Sequence, residues 1–113
     1  VPQARAGKAR TLAVSTQKPS AAFPGVPTMD SIMPGFVVDQ WFGMFVPAGT
    51  PRDVVMAING ATKKALDSKS VRATFELEAM TAVGDSPEEF GAHVKREIAR
   101  YAEIIRKGNI TTQ

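Results

Sequence analysis

Apolar positions recur with two different periods along this chain, and the clearest lies near its end. Phe90, Val94, Ile98, Tyr101 and Ile105 follow one another at spacings of 4, 4, 3 and 4, which puts them on one face of a helix. The run is introduced by Ser86-Pro87-Glu88-Glu89, a capping box with proline at the first helical position. Arg106 and Lys107 suit the negative end of such a helix, and Gly108 is expected to supply its left-handed stop. A second stripe, Val55, Ile58, Thr62, Ala65 and Leu66, predicts a helix from Pro51 to about Asp67. A shorter helix, capped by Ser68 or Ser70, should carry Val71 and Phe75.

Elsewhere the pattern changes to short apolar runs of the kind strands use. Leu12 and Val14 predict a strand over about Ala9 to Thr16. Phe36-Val37-Val38 leads into Trp41-Phe42-Gly43-Met44-Phe45-Val46, a density of aromatic and β-branched residues that suits a covered strand bent near Gly43. Pro47 cannot donate to a sheet ladder, so this strand ends at Pro47-Ala48-Gly49-Thr50-Pro51. Thr50 is placed to cap the next helix, or to hold an anion with the amides behind it, and Asp53 adds negative charge to the first turn. A brief strand is expected over Met80 to Val83. Between Gln17 and Gly35 the prolines at 19, 24, 27 and 34 permit little more than one helical turn, from Thr28 to Met33. Strands alternating with helices predict an α/β architecture.

Size and charge narrow the picture only slightly. The 113 residues suit one domain, and 43% hydrophobic content is enough for a core of ordinary size. Such a core is marginal if the sheet is shared with a segment outside the chain, since apolar surface and strand edges would then be exposed and dimerisation is one way to cover them. Fourteen Lys and Arg against eleven Asp and Glu leave a net charge of +3. The basic cluster Lys95, Arg96, Arg100, Arg106 and Lys107 is interleaved with Glu97 and Glu103 and has no aromatic platform, so a solvated helix face is expected and no nucleic-acid partner. With no cysteine, disulfides and thiol chemistry are excluded. No segment approaches the roughly 18 apolar residues needed to span a bilayer, and Val1-Pro2-Gln3-Ala4-Arg5 is not a secretory signal.

Little in the chain points to catalysis. His93 is the one imidazole; it sits on the last predicted helix without an evident partner, and reads as a helix residue rather than a base. No spacing of His, Cys or carboxylates makes a metal set, and no glycine-rich phosphate loop is present, so neither cofactor nor metal is expected. A binding edge is the remaining possibility. In open α/β sheets ligands sit beyond the carboxyl ends of strands, where the first strand is expected to deliver Ser15 and Thr16, with Gln17 next in line, neutral hydrogen-bonders suited to carboxylate oxygens. Ser15 and Thr16 also read simply as the start of a turn. Trp41 is either a core residue or a lid over the ligand.

The segment Trp41-Phe42-Gly43-x-Phe45-x-Pro47-Ala48-Gly49-Thr50-Pro51 resembles the hallmark of the tripartite tricarboxylate transporter receptors, the Bug family. Gly7-Lys8-x-Arg10-x-Leu12-Ala13-Val14-Ser15, Val26-Pro27-Thr28, Pro34-Gly35-Phe36 and Ser86-Pro87-Glu88-Glu89-Phe90 are similar to further landmarks of that family, in the same order. Two departures stand out. Met29-Asp30-Ser31-Ile32-Met33 replaces a longer loop that usually carries Glu-x-Gly, and a glycine after the short helix is replaced near Ala79.

The resemblance covers nearly all 113 residues but maps onto the C-terminal part of a full receptor. It implies a piece of a periplasmic binding protein type II, or clamshell, fold, with the N-terminal half and the signal peptide outside this chain. Residues 1–35 would be a strand and proline-rich connector from the second lobe or the crossover, and 36–113 the part returning to the first lobe. By the same resemblance, the protein is not an enzyme but a periplasmic receptor. It would close on a small organic acid or amino acid and deliver it to the membrane subunits of a tripartite transporter. A self-standing α/β interaction module, dimeric through its aromatic strand, is the alternative.

Overall fold

The computed structural model describes residues 2–111, and its regular elements are helical. They are α1 (Pro2–Arg5), α2 (Met29–Ile32), α3 (Arg52–Leu66), α4 (Lys69–Glu78) and α5 (Pro87–Lys107). The chain divides into two units that interleave along the sequence. One comprises the N-terminal residues through Met44 together with Lys64–Ala82; the other comprises Phe45–Lys63 and the residues from Val83 onward.

In the first unit, helix α1 was not foreseen. It is a single turn closed by Lys8 N–H on the Gln3 carbonyl (2.9 Å) and Gly7 N–H on that of Ala4 (3.1 Å), with Gly7 in the left-handed region at φ 69°. That pairing is a Schellman stop, which glycine permits without a Cβ penalty. Helix α4 is capped by Ser68 rather than Ser70: the Ser68 hydroxyl accepts from Val71 N–H at 3.4 Å. At its other end Ala79 takes the left-handed position (φ 56°), so Ala79 N–H reaches the Glu76 carbonyl and Met80 N–H the Phe75 carbonyl. The residue near which the resembled glycine is replaced therefore takes the left-handed conformation that glycine favours.

In the second unit, the capping box of α5 is formed in full. The Ser86 hydroxyl accepts from Glu89 N–H (3.3 Å), while the Glu89 carboxylate accepts from Ser86 N–H (2.9 Å). The stop of α5 differs from expectation. Gly108 keeps a right-handed backbone (φ −80°), and Asn109 takes the left-handed one (φ 49°), with Asn109 N–H on Arg106 and Ile110 N–H on Ile105. The helical backbone runs one residue further because asparagine tolerates that region nearly as glycine does. Helix α3 likewise begins one residue later than its capping signal implies. The Pro51 carbonyl accepts from Val55 N–H at 3.1 Å, so Pro51 holds the capping position and Thr50 lies outside it. The Thr50 hydroxyl instead donates to the Pro47 carbonyl at 2.8 Å, closing the Pro-Ala-Gly-Thr-Pro loop. The Asn59 amide donates to the Asp85 carbonyl (2.8 Å) and ties the Gly84-Asp85 turn to α3.

The predicted strands do not form ladders among the described residues. A single parallel bridge joins Val14 to Thr28, and neither 36–46 nor 80–83 pairs as a strand. A strand exists only through its neighbour's hydrogen bonds, so sequence pattern alone cannot complete one. The aromatic run is correspondingly open, with Phe42 74% and Phe45 69% exposed, and no apolar side chain among the described residues is fully buried.

Candidate functional site

A cluster of hydrogen-bonded polar groups in the first unit surrounds Val14, Ser15 and Thr16. Val14 N–H donates to the Pro27 carbonyl (2.9 Å) and the Val14 carbonyl accepts from Met29 N–H (2.7 Å). Because main-chain groups alternate sides along an extended segment, the Ser15 carbonyl points away from that pair and accepts from Val38 N–H at 2.9 Å. Residues 14 and 15 thus lie between the 27–29 segment on one side and Val38 on the other.

Thr28 anchors this arrangement and is the one buried residue among those described, at 8% exposure. It caps α2: its hydroxyl accepts from Ser31 N–H (3.2 Å), and the Ser31 hydroxyl returns to the Thr28 carbonyl (2.7 Å). The Asp30 carboxylate then accepts from Gly35 N–H at 2.8 Å, with Gly35 at φ 86°. The segment that departs from the resembled loop is therefore one helical turn fastened by its own side chains. Thr28 and Asp30 were not singled out for this role, although Thr28 followed by Ser31 is a legible capping signal.

Ser15, Thr16 and Trp41 all belong to this unit, and each has a definite place. The Ser15 hydroxyl donates to the Val38 carbonyl at 2.8 Å, and the Thr16 hydroxyl to the Lys18 carbonyl at 2.7 Å. Each hydroxyl proton is committed to backbone, in keeping with the turn-forming reading of these residues. The main-chain N–H groups of Thr16 and Gln17, however, meet no acceptor among the described residues. Trp41 is half-buried, three residues beyond Val38.

A separate open recess of about 340 Å³ occurs in the same unit, with Arg5, Arg10 and Thr11 as its polar lining and Phe23 and Val26 among its apolar walls. It includes none of Ser15, Thr16 or Trp41. The Arg5 guanidinium is engaged with the Glu76 carbonyl at 3.0 Å.

The titratable groups with displaced pKa values are in the second unit, at the ends of α5. The Arg52 guanidinium, 2.6 Å from Glu88, holds that carboxyl below its usual range, and the Ser86 hydroxyl and N–H do the same for Glu89. Lys107 hydrogen-bonds Glu103 at 2.7 Å, which lowers the carboxyl and raises the ammonium. These exposed groups serve the helix. His93 stacks on Phe90 with ring centroids 6.5 Å apart. Among the described residues no group of three His, Cys, Asp or Glu side chains could hold a metal ion, and no helix is long and apolar enough to cross a membrane.

Comparison with known proteins gives a consistent result. Residues 1–110 match the model of the tripartite tricarboxylate transporter family receptor. The chain is 34% identical over 104 residues to Protein BugT of Bordetella pertussis, covering 91% of this chain and 32% of BugT. It is 30% identical over 110 residues to the UPF0065 protein in the clcB-clcD intergenic region of Pseudomonas knackmussii, covering 96% of this chain and 65% of that protein. Among solved structures it is similar to R. palustris Rpa4515 with adipate, at 31% identity and a TM-score of 0.78, over 97% of this chain and 37% of that one. The chain thus spans about a third of the length of BugT and of Rpa4515.

Proposed function

Because the chain belongs to the tripartite tricarboxylate transporter receptor family and has the fold of part of a periplasmic binding protein, we propose that it is the C-terminal portion of a periplasmic solute receptor. The receptor closes two lobes on a small organic carboxylate and presents it to the membrane subunits of a tripartite transporter, without chemical turnover. A ligand that touches both lobes stabilises the closed state, and that difference is what a transporter can sense. On this reading residues 1–35 belong to the second lobe or the crossover, and 36–113 return to the first.

The observation that carries the proposal is the pair of main-chain N–H groups at Thr16 and Gln17, which lack acceptors at the end of the Val14-Ser15 segment. Oriented amides suit a carboxylate, and hydrogen bonds to a charged acceptor are the stronger kind. A relative of the same fold was solved with a six-carbon dicarboxylate, adipate, which supports the ligand class. On this reading Ser15 and Thr16 stand at the ligand edge, the ligand is held by the main-chain N–H groups of Thr16 and Gln17 rather than by hydroxyl protons, and Trp41 closes over it.

The test is a chimera in which this chain replaces the matching part of Rpa4515, titrated calorimetrically with adipate and shorter dicarboxylates. Binding is expected, with Ser15→Ala changing it little. Gln17→Pro, which deletes one N–H, should weaken it about tenfold, the loss appropriate to a charged hydrogen bond. A well-folded chimera that binds no carboxylate overturns the proposal, and equal binding by the Gln17→Pro variant overturns the role given to the amides.

A further inference from the structure

Before Asp30, its first acidic residue, the chain carries Arg5, Lys8, Arg10 and Lys18. Two of these cations stand at the recess of about 340 Å³ in the first unit. Arg5 is held there by one guanidinium N–H on the Glu76 carbonyl at 3.0 Å, in the last turn of α4, where a cation suits the negative end of the helix. The Arg10 guanidinium and the Thr11 hydroxyl have no hydrogen bond among the described residues, and neither arginine is in an ion pair there. A guanidinium carries five N–H donors, so most of the donor capacity of the pair is unspent and its charge is not neutralised by a contacting carboxylate.

The floor beneath these cations is apolar and fastened in place. Phe23, Val26 and Ala22 are half-buried, whereas Arg5 and Arg10 are exposed. Phe23 N–H donates to the Ser20 carbonyl (3.1 Å), Val26 N–H to the Phe23 carbonyl (3.2 Å) and Ala22 N–H to the Ser20 hydroxyl (3.3 Å). Gly25, in the left-handed region at φ 78°, turns the chain between the two apolar walls. Every wall residue lies between Ala4 and Val26, so one continuous stretch builds the recess. Its volume falls among those of small-molecule sites, about 300–1,000 Å³, which join an apolar lining to a few convergent polar groups.

We propose that this recess is an anion site that takes a small carboxylate with an apolar body. Arg10, with Arg5 at its flank, holds the carboxylate through the paired N–H donors that match its two oxygens, and Phe23 and Val26 cover the apolar part. An inorganic anion would gain nothing from that floor. Thr11 belongs to the start of the extended segment whose far end carries the Thr16 and Gln17 amides, and the recess shares no residue with that edge. The site is therefore additional to the ligand edge of the receptor and does not depend on it.

Phenylglyoxal, which modifies accessible guanidinium groups, gives a test resolved arginine by arginine. Modification of the 113-residue chain is followed by peptide mass spectrometry in the presence of benzoate, benzamide or inorganic phosphate. Benzoate should slow the reaction at Arg10 by about fivefold or more, through charge-assisted hydrogen bonds, slow it less at Arg5, and leave Arg72, Arg96 and Arg106 unchanged. Benzamide, which lacks the charge, and phosphate, which lacks the apolar body, should each need about tenfold higher concentration for equal protection. Phe23→Ser should weaken benzoate protection by about tenfold, whereas Lys95→Gln, an equal loss of apolar contact to nothing and of one charge elsewhere, should not change it. The same protection is expected in the chimera with Rpa4515. Uniform slowing at every arginine, equal protection by benzamide or phosphate, or protection unaffected by Phe23→Ser overturns the proposal. So does protection that is present in the chain and lost in a well-folded chimera, because the recess would then be filled by receptor polypeptide.

Discussion

Single residues at helix ends carry testable energy in this chain. Ala79 sits at φ 56° to end α4, a conformation that costs an L-residue about 1–2 kcal/mol and glycine almost nothing. Ala79→Gly should therefore raise stability by about 1 kcal/mol, less the extra freedom glycine has when unfolded, seen as a higher urea midpoint. Asn109 pays a smaller penalty at φ 49°, so Asn109→Gly should gain less. At the other end of α5, Ser86→Ala deletes the capping hydroxyl and should cost about 1 kcal/mol of helix stability. The linked carboxyl gives that substitution a signature in pH. The Glu89 pKa is lowered in the folded chain, first by the Ser86 hydroxyl and then by its N–H. Its contribution is complete above the usual glutamate value and is lost as pH falls through the lower folded one. Titration followed by NMR should show the Glu89 carboxyl returning toward the ordinary range in the Ser86→Ala variant, with a shallower acid loss of α5 helicity. An unmoved titration would mean that the box does not hold the carboxyl in solution.

At the scale of elements, what joins Phe45 to α5 is an aromatic contact. Rings 5.3 Å apart at 55° are in the tilted geometry that adds about 0.5–1.5 kcal/mol beyond buried area. A double-mutant cycle with Phe45→Leu and Phe90→Leu should return a coupling of that size, and additive single effects would show that the pair is only adjacent. Helices were the legible part of the sequence because their hydrogen bonds close within a few residues and their caps are local. The Ser86 box, the Val55–Ile58–Thr62–Leu66 stripe and the Ser68 alternative all appear. Boundaries slipped by one residue where two neighbours could serve, as with Thr50 and Pro51 or Gly108 and Asn109. The strands were legible only as intention: Leu12, Val14 and the aromatic run have the right composition, but ladder formation depends on segments distant in sequence. The site was harder to read for the same reason. Ser15 and Thr16 could be placed at an edge, whereas the fate of their hydroxyl protons was settled by Val38 and Lys18. Nothing in composition distinguishes a side-chain donor from a main-chain one.

For the molecule as a whole, the absence of any fully buried apolar side chain among the described residues has a direct thermodynamic consequence. Burial supplies about 25 cal/mol per Å² of apolar surface and is the main term opposing chain entropy. Helices held chiefly by caps and exposed ion pairs, such as Arg52 with Glu88 and Lys107 with Glu103, gain little from each other, because water and salt screen exposed pairs. The isolated chain should therefore lose helicity over a broad urea range, bind a hydrophobic dye strongly, and show near-ultraviolet signals from Trp41 that do not track its far-ultraviolet helicity. On the proposed reading, co-expression with the portion of Rpa4515 outside the match should convert this into one steep transition, with dye binding suppressed. Measured side by side, the two unfolding curves decide the matter. A sharp, coincident transition for the monomeric chain alone would mean that it completes its own core in solution.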